Sequence, residues 1–209
     1  MSQDLLSRLK NETAVCHTRL ENALDLMQDS LQRAEYIALL ERFYGYIAPW
    51  EDVAGAQMPE SLQVFFDERR KAPLIAADLA VLTGERVPVG SVPRAHALYD
   101  LPQIKNVASA IGSMYVMEGS TLGGRFIAPH VAKLLDLEPG FGNAYFEGYG
   151  SHTGSMWNAF RTTVAATVPE AQYDEAVHAA IATFESMQAW LCPESAEVED
   201  LQAVSGVAT

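Results

Sequence analysis

Apolar side chains recur at helical spacing along nearly the whole chain, and the breaks between those runs are rich in glycine, proline or charge. Near the start, Leu6, Lys10, Thr13, His17, Glu21 and Leu24 project close to one line of a helix, with Leu9 and Leu20 flanking them on its apolar side. Lys10 and His17 are thus predicted to face inward. After a polar break at 28–33, a second long helix is expected over 34–57, where Tyr36, Leu39, Leu40, Phe43 and Ile47 repeat and Pro49 marks a bend. Two shorter helical pieces follow at 60–70 and 73–82, and the prolines of 85–102 predict the longest loop, with His96 exposed in it. A third long helix is expected from Pro102 or Gln103 to Leu135, with Pro129 as a second bend. The stretch 139–150 reads as a glycine- and aromatic-rich loop that packs, after which Ser151 is expected to cap a helix over 152–168. A last helix starts after Pro169 and ends at Cys192. No strand pattern appears, so the expected fold class is all-α, with antiparallel helices packed around one cleft.

Within the third helix the segment from Gly112 to Val131 carries Gly119, Gly123 and Gly124. Each glycine costs roughly 1 kcal/mol against alanine inside a helix, so three in one turn imply close approach of bare backbone, either to another helix or to a flat ligand. Ser120 and Thr121 stand at the bend itself. His17 has two readings as well: a core imidazole satisfied by its neighbours, or an axial metal ligand.

Composition narrows the class. A chain of 209 residues, 49% hydrophobic and 20% charged, suits one compact domain, expected over 1–192, with an acidic, small-residue tail over 193–209 expected to be mobile. The net charge of −13 speaks against a nucleic-acid surface. No apolar run approaches the length of a membrane span, and charges occupy the N-terminal positions where a signal peptide is apolar, so a cytoplasmic protein with no membrane contact is expected. Cys16 and Cys192 are too few for a disulfide framework and read as reduced thiols. Against such an acidic background, an inward-facing Lys10 beside an apolar groove points to a buried anion, with snorkelling to solvent as the other reading.

Taken together, the segments LSRLKNETAVCHTRLENAL and YVMEGSTLGG resemble heme oxygenase, in particular the bacterial enzymes found alongside bilin-binding photoreceptors. The resemblance runs from about Leu5 to Leu191. It implies a helical bundle holding heme between a proximal helix, which ligates iron through His17, and a kinked distal helix, which covers the other face with Gly119, Ser120, Thr121, Gly123 and Gly124. It further implies that Lys10 and Tyr115 contact the propionates, that Thr13 and Glu21 flank the ligand histidine, and that Arg161 approaches the propionates from a later helix. Many members have an aspartate where this chain has Ser120. The implied reaction opens heme with O2 and external electrons to biliverdin, CO and iron, so heme is cofactor and substrate at once. Electrons would come from a separate ferredoxin-type or flavoprotein donor, because no dinucleotide fingerprint or CxxC cluster is present. A bilin-binding photoreceptor is the implied recipient of product.

Two other classes share some of these features. A non-catalytic heme carrier or sensor would keep the histidine. A non-heme di-iron oxidase would use Glu-x-x-His pairs, of which Glu175 and His178 form one and no second occurs.

Overall fold

The computed structural model describes residues 4–84, 91–138 and 140–193. The expected tail, apart from Pro193, and part of the long loop lie outside the described residues. Among those residues the secondary structure is helical throughout: α1 (Leu5–Glu12), α2 (Ala14–Leu24), α3 (Arg33–Gly55), α4 (Glu60–Asp67), α5 (Ala72–Thr83), α6 (Val107–Leu135), α7 (Ala144–Glu147), α8 (Thr153–Thr167) and α9 (Tyr173–Leu191), with single 3-10 turns before α8 and α9. The all-α expectation holds.

Helix boundaries follow local chemistry. Asp4 caps α1 by accepting from Ser7 N–H at 3.1 Å. The helix expected from Pro102 starts later, at Val107, because Asn106 and Ser109 form a reciprocal capping box that fixes the first turn there. Asn106 also donates through Nδ2 to Glu175 at 2.7 Å, tying the start of α6 to that of α9. Ser151 does not cap α8; it lies in the preceding 3-10 turn, and His152 occupies the cap position without a side-chain cap bond. Within the loop expected to pack, a short helix forms and buries Tyr145 and Phe146.

The core is built around α6 and α9. At Gly112 the two helices meet closely, since a Cβ there would lie 1.9 Å from the Ala176 carbonyl oxygen. Only glycine permits that crossing. A buried polar chain reinforces it: Trp50 Nε1 donates to Ser113 Oγ at 2.7 Å, Ser113 donates to Thr183 Oγ1 at 2.7 Å, and Thr183 donates to the Ala179 carbonyl at 2.6 Å. Every hydroxyl in that chain is satisfied, so burying Ser113 carries no unpaired donor. Asp78, a lone acid in apolar α5, accepts from Ala144 and Tyr145 N–H, each at 2.8 Å, and so anchors the N-terminus of α7.

Candidate functional site

The first helical segment bends at Thr13, which is 2% exposed and donates to the Leu9 carbonyl at 2.7 Å. Such back-bonding by a hydroxyl competes with the regular ladder and often bends a helix. Beyond the bend, α2 packs against α9 through buried Leu20, with Cys16 and Leu24 half-buried. His17 does not point into the core as its projection predicts: its side chain is 52% exposed, with one ring edge against Phe184 at 5.8 Å between centroids. The reason is that α2 packs along a single side, which leaves the flank bearing His17 open. Its Nδ1 lies 3.3 Å from Glu21 Oε2, an arrangement that leaves Nε2 as the outward nitrogen. Lys10 is exposed as well, contrary to the inward reading, because the apolar stripe of α1 is carried by Leu5 and Leu9 instead.

The glycines of α6 divide into two kinds. A Cβ on Gly124 would sit 2.1 Å from the Phe146 carbonyl oxygen, so this glycine serves the packing of α7. Cβ atoms on Gly119 and Gly123 would meet nothing within 4 Å. These two lie one turn apart and present bare backbone to open space on one side of the helix. Ser120 and Thr121 turn their hydroxyls back to the carbonyls of Met117, at 2.8 Å, and Glu118, at 2.6 Å. Ser120 is exposed, whereas Thr121 is buried against Gly148.

Contacts to α9 place the two walls in register. Arg8 pairs with Asp174 and His17 touches Phe184; Asn106 bonds Glu175 and Ser113 bonds Thr183. Both α1–α2 and α6 therefore run in the direction of α9. They come together where Tyr115 faces Thr13, a link at which burial raises the tyrosine pKa and Thr13 opposes it. One turn past this link stands His17 on one side and Gly119 on the other, with α9 as the base between them. Tyr115 is half-buried against Trp157, at 6.0 Å between ring centroids. Arg161, on α8, is exposed, and neither it nor Lys10 has an ion-pair partner among the described residues. A flat macrocycle with one axial imidazole and peripheral carboxylates fits this donor set.

Sequence reasoning missed a buried charged cluster behind α6. Glu118, 2% exposed, meets Lys71 Nζ at 3.2 Å, accepts from the Tyr149 hydroxyl at 2.7 Å and faces Arg69 Nε at 3.4 Å. Glu51 accepts from the backbone N–H of Lys71 and of Ala72, capping α5, and pairs with Arg70 at 3.6 Å. Burial pulls Lys71 below the usual lysine range, with Glu118 opposing, and pushes the Glu51 carboxyl and the Tyr149 hydroxyl up. A lone acid inside the apolar run YVMEGST was the available signal, since such a residue is buried only with partners.

The di-iron constellation is not assembled. Glu175 is engaged by Asn106 and His178 is exposed; no group of three or more His, Cys, Asp or Glu side chains able to hold a metal forms among the described residues.

Comparison with known proteins identifies the family and the fold. The family model described as heme oxygenase matches residues 3–192. A heme oxygenase of Xanthomonas campestris pv. campestris is 29% identical over 141 residues, spanning 66% of this chain and 77% of the relative. Among solved structures, heme oxygenase from Leptospira interrogans superposes with a TM-score of 0.70 at 17% identity, over 91% of this chain and all of that one. Heme oxygenase-1 from the cyanobacterium Synechocystis, solved in complex with heme, gives a TM-score of 0.72 at 14% identity, over 98% and 97% of the two chains. A family-model match over residues 3–192, on an all-helical fold shared with these solved structures, makes the chain a member of the heme oxygenase family.

Proposed function

We propose that this protein opens the porphyrin ring of heme oxidatively, using O2 and electrons from a separate donor, and releases biliverdin, CO and iron. The observations that support the reading are the half-exposed imidazole of His17 and the open space beside the Gly119 and Gly123 backbone, on two helices that both pack on α9. When bound, heme supplies the iron that binds and reduces O2 and is itself the carbon skeleton that is oxidised. The chain supplies the surroundings. His17 would offer Nε2 to the iron, and Glu21, beside Nδ1, would orient the ring. Gly119 and Gly123 would bring peptide groups, not side chains, to the ring, a surface that itself offers no acid or base. Ser120, whose hydroxyl is exposed beside this turn, is the group placed to hold water there; Thr121 and Gly124 support the turn from behind.

Lys10 and Arg161, exposed cations without an ion-pair partner among the described residues, and Tyr115 at the Thr13 link would hold the propionates and so fix which edge of the ring faces the distal wall. Electron delivery falls to another protein, of ferredoxin or flavoprotein type, and a bilin-binding photoreceptor is the proposed consumer of product. No helix among the described residues is long and apolar enough to cross a membrane.

The test is an optical titration of the protein with hemin, followed by reductant in air with catalase present. A histidine-type heme spectrum that decays to a biliverdin band is expected. Saturable binding without decay would establish a carrier or sensor instead, and no saturable binding would overturn the reading.

A further inference from the structure

Glu118 immediately precedes Gly119, yet its side chain leaves α6 about 100° round the helix from the bare glycine face. It runs into a cluster that none of the roles above uses. Two donors and one facing cation from two other parts of the chain converge on its carboxylate: Lys71 Nζ donates at 3.2 Å from the α4–α5 junction, the Tyr149 hydroxyl donates at 2.7 Å from the turn after α7, and Arg69 Nε stands 3.4 Å away as an ion pair. Lys71 also donates to that hydroxyl and lies 3.8 Å from the centre of its ring. Arg69 and Lys71 are 5% and 2% exposed, so these are ions held out of water, and an ion in that setting persists only where its partners stay in place.

Arg69 Nε and Glu118 Oε2 have no hydrogen-bond partner and are set on each other alone, beside a small cavity lined by Glu51, Met114 and Met117. Displacing this turn of α6 would separate those charges without solvating them. On the cleft side nothing opposes movement, since no atom lies within 4 Å of a Cβ position on Gly119 or Gly123. The backward pull, together with the packing of Gly124 on Phe146, therefore locates the glycine turn.

We propose that Glu118 is a positioning residue for the distal wall: clamped by Lys71, Arg69 and Tyr149, it sets the roll and depth of the Gly119–Gly123 backbone over the cleft. The proposal rests on the heme reading of that cleft for its functional consequence but not for its structural one. Glu118→Gln keeps the shape and the Tyr149 bond while removing the charge that holds the two cations.

The experiment has a part that needs no heme. Amide hydrogen exchange is measured on the ligand-free protein, where Glu118→Gln is expected to speed exchange at 119–124 by about tenfold or more while 108–114 stays as in wild type. In the hemin complex the ferric spectrum is expected to shift, and the single-turnover ring-opening rate to fall by about 10- to 100-fold, with hemin affinity within about threefold of wild type. Tyr149→Phe, which removes one hydroxyl and leaves every charge, is expected to move each readout in the same direction by less; it also serves if Glu118→Gln does not fold. Wild-type exchange, spectrum and rate in whichever variants fold would overturn the proposal, as would faster exchange spread evenly over all of α6, which would mark a general loss of stability. If wild type binds no hemin, the heme reading fails, and the exchange pattern still decides whether the clamp exists.

Discussion

Gly123 and Gly124 are adjacent and identical, yet substitution by alanine should move stability in opposite directions. At Gly123 the new methyl meets nothing within 4 Å, so the change is the helix propensity alone, a gain of up to about 1 kcal/mol. At Gly124 the methyl would stand 2.1 Å from the Phe146 carbonyl oxygen and 3.2 Å from its carbon. An ordinary carbon–oxygen contact is about 3.3 Å, so the backbones must part by on the order of 1 Å. Phe146 cannot yield freely, because Asp78 holds the start of α7 by two hydrogen bonds. Overpacking of this kind costs about 1–3 kcal/mol, and with a propensity gain of about 1 kcal/mol set against it the net loss is about 0–2 kcal/mol. For a chain of this size, each kcal/mol is about 2–4 °C in Tm. Urea unfolding followed by far-UV circular dichroism measures both variants, and hemin titration supplies the second axis. Gly123→Ala should be as stable as wild type or more so and bind hemin more weakly, because its methyl enters the cleft. Gly124→Ala should be the less stable of the two. A Gly124→Ala protein at least as stable as wild type, alongside a destabilised Gly123→Ala protein, would refute the assignment of one glycine to packing and the other to the cleft.

His17→Ala should abolish the histidine-type heme spectrum while shifting unfolding free energy by no more than about 0.5 kcal/mol, as expected of an exposed side chain; an unchanged spectrum would exclude His17 as the ligand. Lys10→Ala should weaken hemin binding or alter the biliverdin isomer ratio, read by chromatography of the product, and no change in either would remove it from the propionate site. Burial raises the folded-state pKa of Asp78 above its ordinary value of 3.8, with the α7 amides opposing. The folded protein thus binds this proton more tightly than the unfolded chain, so the contribution of Asp78 is fully present below that value and declines as pH rises through the raised one. The stability of wild type relative to Asp78→Asn, followed by urea unfolding from about pH 4 upward, should fall with pH and then level; a gap that widens would contradict the sign.

The order and type of the long helices were legible because their apolar stripes are continuous, and Gly119 and Gly123 stood out because nothing in a helix favours them. Side-chain direction was less legible. Projection on an ideal helix turned His17 and Lys10 inward, but it assumed neighbours all round, and α2 packs along one side only. The charged run FFDERRK, where the short helical piece over 60–70 ends, carries no local sign that Arg69 and Lys71 are buried. Their partners lie 47 and 78 positions further along the chain, at Glu118 and Tyr149, and no local spacing encodes such pairings. Asp78 was missed for the same reason: its partners are backbone amides of a segment that reads as loop.

Helix α6 is gripped at Gly112 by α9 and at Gly124 by α7, points about 18 Å apart at 1.5 Å per residue. Like a beam fixed near both ends, it can bow between them but cannot travel. The facing wall is built differently, for α2 buries a single residue, Leu20, worth about 1.5–3 kcal/mol, and stops at a left-handed Asp25. Of the two, the wall that yields more readily is the one on α2, which rests on Leu20 and its Thr13 root while α6 is held at two points, and His17 stands on that weaker wall.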